Sequence, residues 1–194
     1  MKVLKHGLFL IAALLLAHAA DAQKKYERET TIKSSQVHES AKAYVKSLFP
    51  SAKRIKWYRE ESLEGVTMEA KIKQGRTIYS IEFDTLGTLH DIELTRNFAE
   101  LPSSIQKRIQ DYLGNRHRRF RIKKVQVQLI GHPGILGSVI KGKNTKDTYA
   151  TNYEIEYSGN EGNNPIMYES LFDHAGNHIR TKEIIERNLN HLLY

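Results

Sequence analysis

The 194-residue chain contains no cysteine. That absence removes disulfides, zinc-thiolate sites, iron-sulfur clusters, thiol nucleophiles and thiol-linked lipids in one step, so stability must come from a packed core. Long apolar runs are missing too, apart from residues 8–17 near the start, and these are well short of the roughly 20 apolar residues that span a bilayer. There is no His-Glu-x-x-His, no Gly-x-Ser-x-Gly and no serine beside an identifiable base, which leaves the common hydrolase classes without a nucleophile or a metal clamp. No catalytic residue, no metal site, no cofactor and no enzyme activity are expected.

What the chain does contain begins with a three-part leader. Lys2 and Lys5 precede the apolar run, and Ala20-Asp21-Ala22 supplies a small-x-small ending. This layout predicts a secretory signal peptide over residues 1–22, cleaved before Gln23, and a mature protein that is periplasmic or secreted and not membrane-spanning. The formal net charge is +8, from 30 Lys and Arg against 22 Asp and Glu. A basic exported protein tends to meet anionic partners such as polysaccharide, lipid headgroups or acidic proteins.

Residues 23–34 are polar and without periodicity, and read as a flexible leader or an edge segment. Val37, Ala41, Tyr44, Val45 and Leu48 then fall at helical spacing, and Pro50 closes the run. Four stretches follow in which apolar and polar residues alternate: Ile55 with Trp57; Val66, Met68, Ala70 and Ile72; Tyr79, Ile81 and Phe83; and the run after Gly87. Period two marks half-buried strands. The pattern then restarts. Ser103 and Gln106 have capping-box spacing ahead of the stripe Ile105, Ile109, Tyr112 and Leu113, which predicts a second helix. Four further strands are read around Val125 to Leu129, Tyr153 to Tyr157, residues 166–173 and residues 177–182. Ile185, Leu189, Leu192 and Leu193 suggest a last helix over 183–194.

One phrase is written twice. Tyr-x-x-x-Phe-Asp-x-x-Gly ends at Gly87 and again at Gly176. The expected fold class is therefore α+β: two tandem units of one helix plus a four-stranded antiparallel meander sheet, at 35–100 and 101–182, with the extra C-terminal helix. The helix ending in "SLFPSAKRIKWY", the "YSIEFDTLG" strand and turn, the "LPSSIQKRIQDYL" helix and the repeated "FDHAG" resemble exported PepSY-like proteins of the beta-lactamase-inhibitor-like fold. The resemblance covers Ser35 to Lys182. It implies two sheets that together offer a curved surface, relatives that include protein-binding inhibitors of enzymes, and no shared catalytic residues.

Asp84 and Asp173 are read as turn residues, each bonding backbone N–H groups ahead of it, with Gly87 and Gly176 taking the torsions that other residues resist. Gly137 to Lys143 mimics a phosphate-binding loop, but Asn144 stands where a hydroxyl is required and no helix is predicted after it. Residues 131–150 are accordingly read as a basic, glycine-rich loop with no nucleotide partner. Arg116, Arg118, Arg119, Arg121, Lys123 and Lys124 form a basic run beside Phe120, a candidate anion-binding patch or a solvated connection that complements a helix C-terminus. His174 and His178 flank the second turn without a third ligand. Trp57 and the tyrosines at 79, 153, 157 and 168 are assigned to the core. Two functions stay open. One is a non-enzymatic binding module for an unknown protein or peptide, with inhibition among its roles. The other is a binder of anionic glycan, lipid headgroup or other polyanion through the basic run.

Overall fold

A computed structural model of the chain describes residues 23–185 except 144, 162 and 163. The signal peptide and residues 186–194 of the expected last helix lie outside the described residues, and the first two residues of that expected helix, Glu183 and Ile184, are strand instead. Ten strands form one sheet: β1 (Gln23–Lys25), β2 (Glu27–Ile32), β3 (Lys56–Ser62), β4 (Gly65–Gln74), β5 (Thr77–Asp84), β6 (Leu89–Thr95), β7 (Phe120–Ile130), β8 (Ala150–Glu161), β9 (Asn164–Phe172) and β10 (His178–Ile184). Three helices accompany them, α1 (Glu39–Leu48), α2 (Ser103–Arg116) and α3 (Pro133–Ile140).

This corrects the expected pair of four-stranded sheets. The strands β3–β6 and β7–β10 lie where the alternation places them, but β6 pairs antiparallel with β7 from Ile92↔Leu129 to Thr95↔Gln126, and the two meanders merge. Residues 23–32 then supply both edges. β2 pairs antiparallel with β3, β1 pairs parallel with β10, and only Tyr26 separates β1 from β2. The sheet is mixed and curls until its edges nearly meet. Lys182 on β10 donates at 2.6 Å to Glu64 in the β3–β4 turn, across that seam. Edge pairing uses backbone N–H and C=O groups, which leave no trace in a side-chain pattern.

The apolar alternates of the strands carry the helices. Ala41, Val45 and Leu48 of α1 pack with Trp57, Ile72, Ile81, Phe83 and Ile92 in one core. Ile105, Ile109 and Leu113 of α2 pack with Val125, Ile155, Tyr157, Tyr168 and Phe172 in another. Val127 touches both, which ties them across the β6–β7 junction. Each large side chain fully buried here contributes about 1.5–3 kcal/mol. α3 lies inside the stretch read as a loop. Its Leu136 is fully buried, and Tyr44 of α1 donates its hydroxyl at 2.8 Å to Pro133 O. Nor does the capping-box reading of α2 describe its start. Pro102 is the N-cap with no side-chain bond, and Gln106 Nε2 instead donates to Leu101 O at 2.7 Å.

The twin phrases are the points where sheet meets helix. Asp84 Oδ1 accepts from Leu86 N and Thr88 N, both at 2.8 Å, and Asp173 Oδ1 accepts from Ala175 N at 2.9 Å and Asn177 N at 2.8 Å. Gly87 and Gly176 have φ of 82° and 81°. A Cβ at Gly87 would lie 2.2 Å from Ser40 Oγ at the start of α1, and one at Gly176 would lie 3.2 Å from Arg108 Cβ on α2. The positive φ favours glycine at both turns, and the close approach of Ser40 adds to it at Gly87.

His117, just past α2, is buried against Tyr157 and Tyr168, with ring centroids 5.5 and 5.1 Å away. A Cβ on Gly159 of β8 would stand 2.6 Å from its Nδ1 and 2.7 Å from its Cγ. Gly159→Ala should therefore destabilise the fold by about 1–3 kcal/mol, the usual cost of overpacking a rigid ring. Urea unfolding checks this, and an unchanged midpoint would show that the ring can retreat.

Candidate functional site

The polar alternates of all ten strands face the inside of the curl and line a cavity of about 500 Å³. Its wall holds eleven of the chain's 22 carboxylates and only five of its 30 Lys and Arg residues. A basic protein has therefore gathered acid on one enclosed face. Val66 is the sole aliphatic side chain in that wall, among the described residues.

Strand register sets like charges opposite one another. Glu29 faces Glu60, Glu69 faces Glu82, Glu82 faces Asp91, and Glu156 faces Glu169. Directly opposed like charges cost stability, and the fold offsets part of that cost with its own ammonium groups. Lys71 pairs with Glu29 and with Glu69, the latter at 2.9 Å, and sits 4.6 Å from the centre of the Tyr58 ring. Lys25 pairs with Glu27 at 2.9 Å and with Glu169, and Lys124 pairs with Glu156 at 2.9 Å. Between these flanks, β5 and β6 carry Glu82, Asp91 and Glu93 without an ion pair among the described residues. Amides serve instead. Gln126 donates to Glu93, and Gln128 donates to Asp91 Oδ2 at 2.8 Å.

Titration follows from this arrangement. Burial, then repulsion from Glu27 and Glu82, pushes Glu60 up to about 8. Burial and Glu82 push Asp91 up to about 7, while burial and Glu169 push Glu154 up to about 8. Glu93 is raised for the same reasons, with burial first and Glu154 next. Lys25 moves the other way from what its burial alone would do, because Glu169, Glu154 and Glu27 together hold its proton more tightly. At neutral pH the trough therefore shares a number of protons that a cation could replace.

The basic run divides. Arg116 ends α2, Arg118 and Arg119 lie in the connection, and Arg121 and Lys123 stand on β7; all five are exposed. Lys124 leaves the group, because a bulge between Ile122 and Lys124 sets it on the inner face against Glu156. His174 is exposed, and His178 stacks on Tyr112 at 4.2 Å with Nε2 2.8 Å from Thr181 Oγ1. The acidic trough itself escaped the sequence reading. Its signal was the sign of the inward alternates, since positions 60, 69, 82, 91, 93, 154, 156 and 169 are all acids.

Raised carboxyls bind more protons folded than unfolded, so their contribution is most favourable at low pH and is lost as pH climbs from the ordinary carboxyl range through the folded values of about 7 to 8. The raised Lys25 and Lys71 remain charged over that span, the depressed Asp84 and Asp173 act only below it, and His178, lowered by burial, opposes the trend at its acidic end as one group against four raised carboxyls. The melting temperature should therefore fall between mildly acidic and mildly alkaline pH, and Asp91→Asn should flatten the fall. Calorimetry at several pH values decides, and a melting temperature that rises over this window would refute the assignment.

No protein-family model and no curated protein matches the chain. Solved structures match it in fold. A BLIP-like protein from Bacteroides fragilis superposes with a TM-score of 0.51 over 80% of this chain and 92% of its own length, at 15% identity. A DUF2874 family protein from Bacteroides ovatus gives 0.50 over 76% and 87%, at 10% identity. A candidate periplasmic protein from Bacteroides eggerthii gives 0.50 over 76% and 88%, at 11% identity. At such identities the likeness speaks for the fold alone. Nothing among the described residues forms a helix long and apolar enough to cross a membrane. The chain has a BLIP-like fold, here with a ten-stranded sheet curled around an acidic interior.

Proposed function

We propose that the protein is an exported, non-enzymatic binding module whose partner is a protein or peptide, engaged through the inner face of the curled sheet. The observation that carries this reading is the trough: a polar cavity of about 500 Å³ lined from ten strands, rich in carboxylates held on rigid β-structure. Sites of this volume hold a side chain, a chain end or a small ligand. The BLIP-like fold supports a binding role over a catalytic one, and inhibition of an enzyme partner belongs to the same reading. A photo-crosslinking residue at Ser62, on the trough wall, should capture a partner of one defined mass in cells exporting the protein. The same residue at Lys107, exposed on α2, should not. Equal yield from both positions, or none from Ser62, would remove the reading.

One observation favours a second reading. Arg116, Arg118, Arg119, Arg121 and Lys123 are exposed and have no ion-pair partner among the described residues, which suits recognition of an anionic glycan or lipid headgroup. Polyanion binding releases counterions and weakens steeply with salt. Arg118→Ala, Arg119→Ala and Arg121→Ala together should lower the salt needed to elute the protein from heparin. Retention that does not move would exclude this surface.

A further inference from the structure

Two places in the trough bring three carboxylates within 4.8 Å of one another: Glu29 with Glu60 and Glu69, and Glu154 with Glu156 and Glu169. Both are already served by the protein's own ammonium groups, Lys71 at the first and Lys25 with Lys124 at the second. A divalent ion, which needs oxygens converging at about 2.0–2.6 Å, would have to displace one of them. The stretch between them differs. Glu82 and Asp91 face each other across β5 and β6, and Glu93 follows Asp91 on the same face of β6.

Asp91 is the telling residue. It is only 7% exposed and lines the cavity, yet its Oδ1 has no hydrogen-bond partner among the described residues, while Oδ2 is held by Gln128. A buried carboxylate oxygen left unsatisfied is costly, and native proteins rarely tolerate one without a reason. The flanks show what the trough accepts, since each is satisfied by an alkylammonium on a flexible stem. We propose that the segment formed by Glu82, Asp91 and Glu93 binds a primary alkylammonium group, with Asp91 Oδ1 as its central acceptor. The ammonium has three donors, and each can reach one carboxylate oxygen by an N–H···O contact of about 2.7–2.9 Å.

Two sources carry this chemistry: a lysine side chain of a peptide partner, or a free diamine or polyamine. The proposal rests on the reading of the inner face as the binding face and names the chemistry that the face selects. Isothermal titration of the full mature chain in low salt at mildly alkaline pH separates the cases. The probes are cadaverine, spermidine, a short lysine peptide, its acetyl-lysine counterpart and calcium chloride.

Saturable binding is expected for at least one amine, with none for the acetylated peptide. Asp91→Asn and Glu93→Gln should each weaken it about tenfold or more, and Asp111→Asn, exposed on α2, should leave it unchanged. Both trough variants relieve like-charge crowding and should remain folded, which melting curves verify. Binding of the lysine peptide but not the free amines assigns the site to a partner's lysine, and the reverse assigns it to a small amine. Calcium binding with no amine binding, amine binding indifferent to Asp91→Asn, or no heat from any probe overturns the proposal. A partner captured at Ser62 alongside a failed titration would sink only the ammonium chemistry; amine binding with no captured partner would sink only the protein-partner reading.

Discussion

The structure depends on a single-residue connection. Only Tyr26 lies between β1 and β2, and these strands occupy opposite edges of a ten-stranded sheet. Two peptide units reach about 7 Å, so the edges must come within that distance. No open, gently twisted sheet of ten strands can do this. The sheet has to curl, and the curl decides the rest: one face is pushed outward, where the helices cover it, and the other is enclosed. Enclosure removes water from the inner carboxylates, and the loss of water lifts the proton affinities of Glu60, Asp91, Glu93 and Glu154.

What could be read in the sequence was local. Period-two alternation identified eight strands, and 3.6-residue spacing identified α1 and α2, because each pattern records which side chains face the core. The twin Asp-x-x-Gly phrases marked two turns, but not that each turn presses on a helix; Ser40 beneath Gly87 and Arg108 beneath Gly176 are far away in sequence. The number of sheets was not legible. Whether β6 ends one sheet or pairs with β7 is settled by backbone bonds, and Ile92, Leu94, Val127 and Leu129 would be apolar in either arrangement. Of the two readings of residues 23–34 the edge segment is the one the strands follow, but β2 buries little and shows no alternation, so nothing in the pattern told that the stretch supplies both edges. α3 was hidden by composition, because its two glycines suit a loop, and the close approach of Gly137 to Leu48 becomes visible only once α1 is in place.

The candidate site was obscured by a default in reading amphipathic strands. Polar alternates are taken as solvated, and a solvated acid needs no explanation. The eight strand-borne acids from Glu60 to Glu169 become notable only when they line one cavity. Exposed arginines, by contrast, are conspicuous in sequence because they run together, as at 116–121. The two features also sort by geometry: the cations lie in a connection and at the start of β7, and the anions sit on strand interiors. This separation of charge persists although the chain as a whole is strongly basic.

Placing acids on rigid strands has a thermodynamic meaning. Replacing a buried charged cluster with well-packed apolar residues is often neutral or stabilising, and a sheet curled this tightly could have closed around an ordinary apolar core. Instead the inner face carries a single aliphatic side chain in the described wall, and its charges are balanced unevenly: lysines at both flanks, glutamines in the middle. Folding alone does not account for that choice. Lys124 holds Glu156 with a charged donor, whereas Gln126 and Gln128 hold Glu93 and Asp91 with neutral ones. An amide holds the carboxyl in place and leaves it able to exchange its proton for a cation. The middle of the trough is therefore positioned by the protein without being neutralised by it, the arrangement expected where neutralisation is left to a ligand.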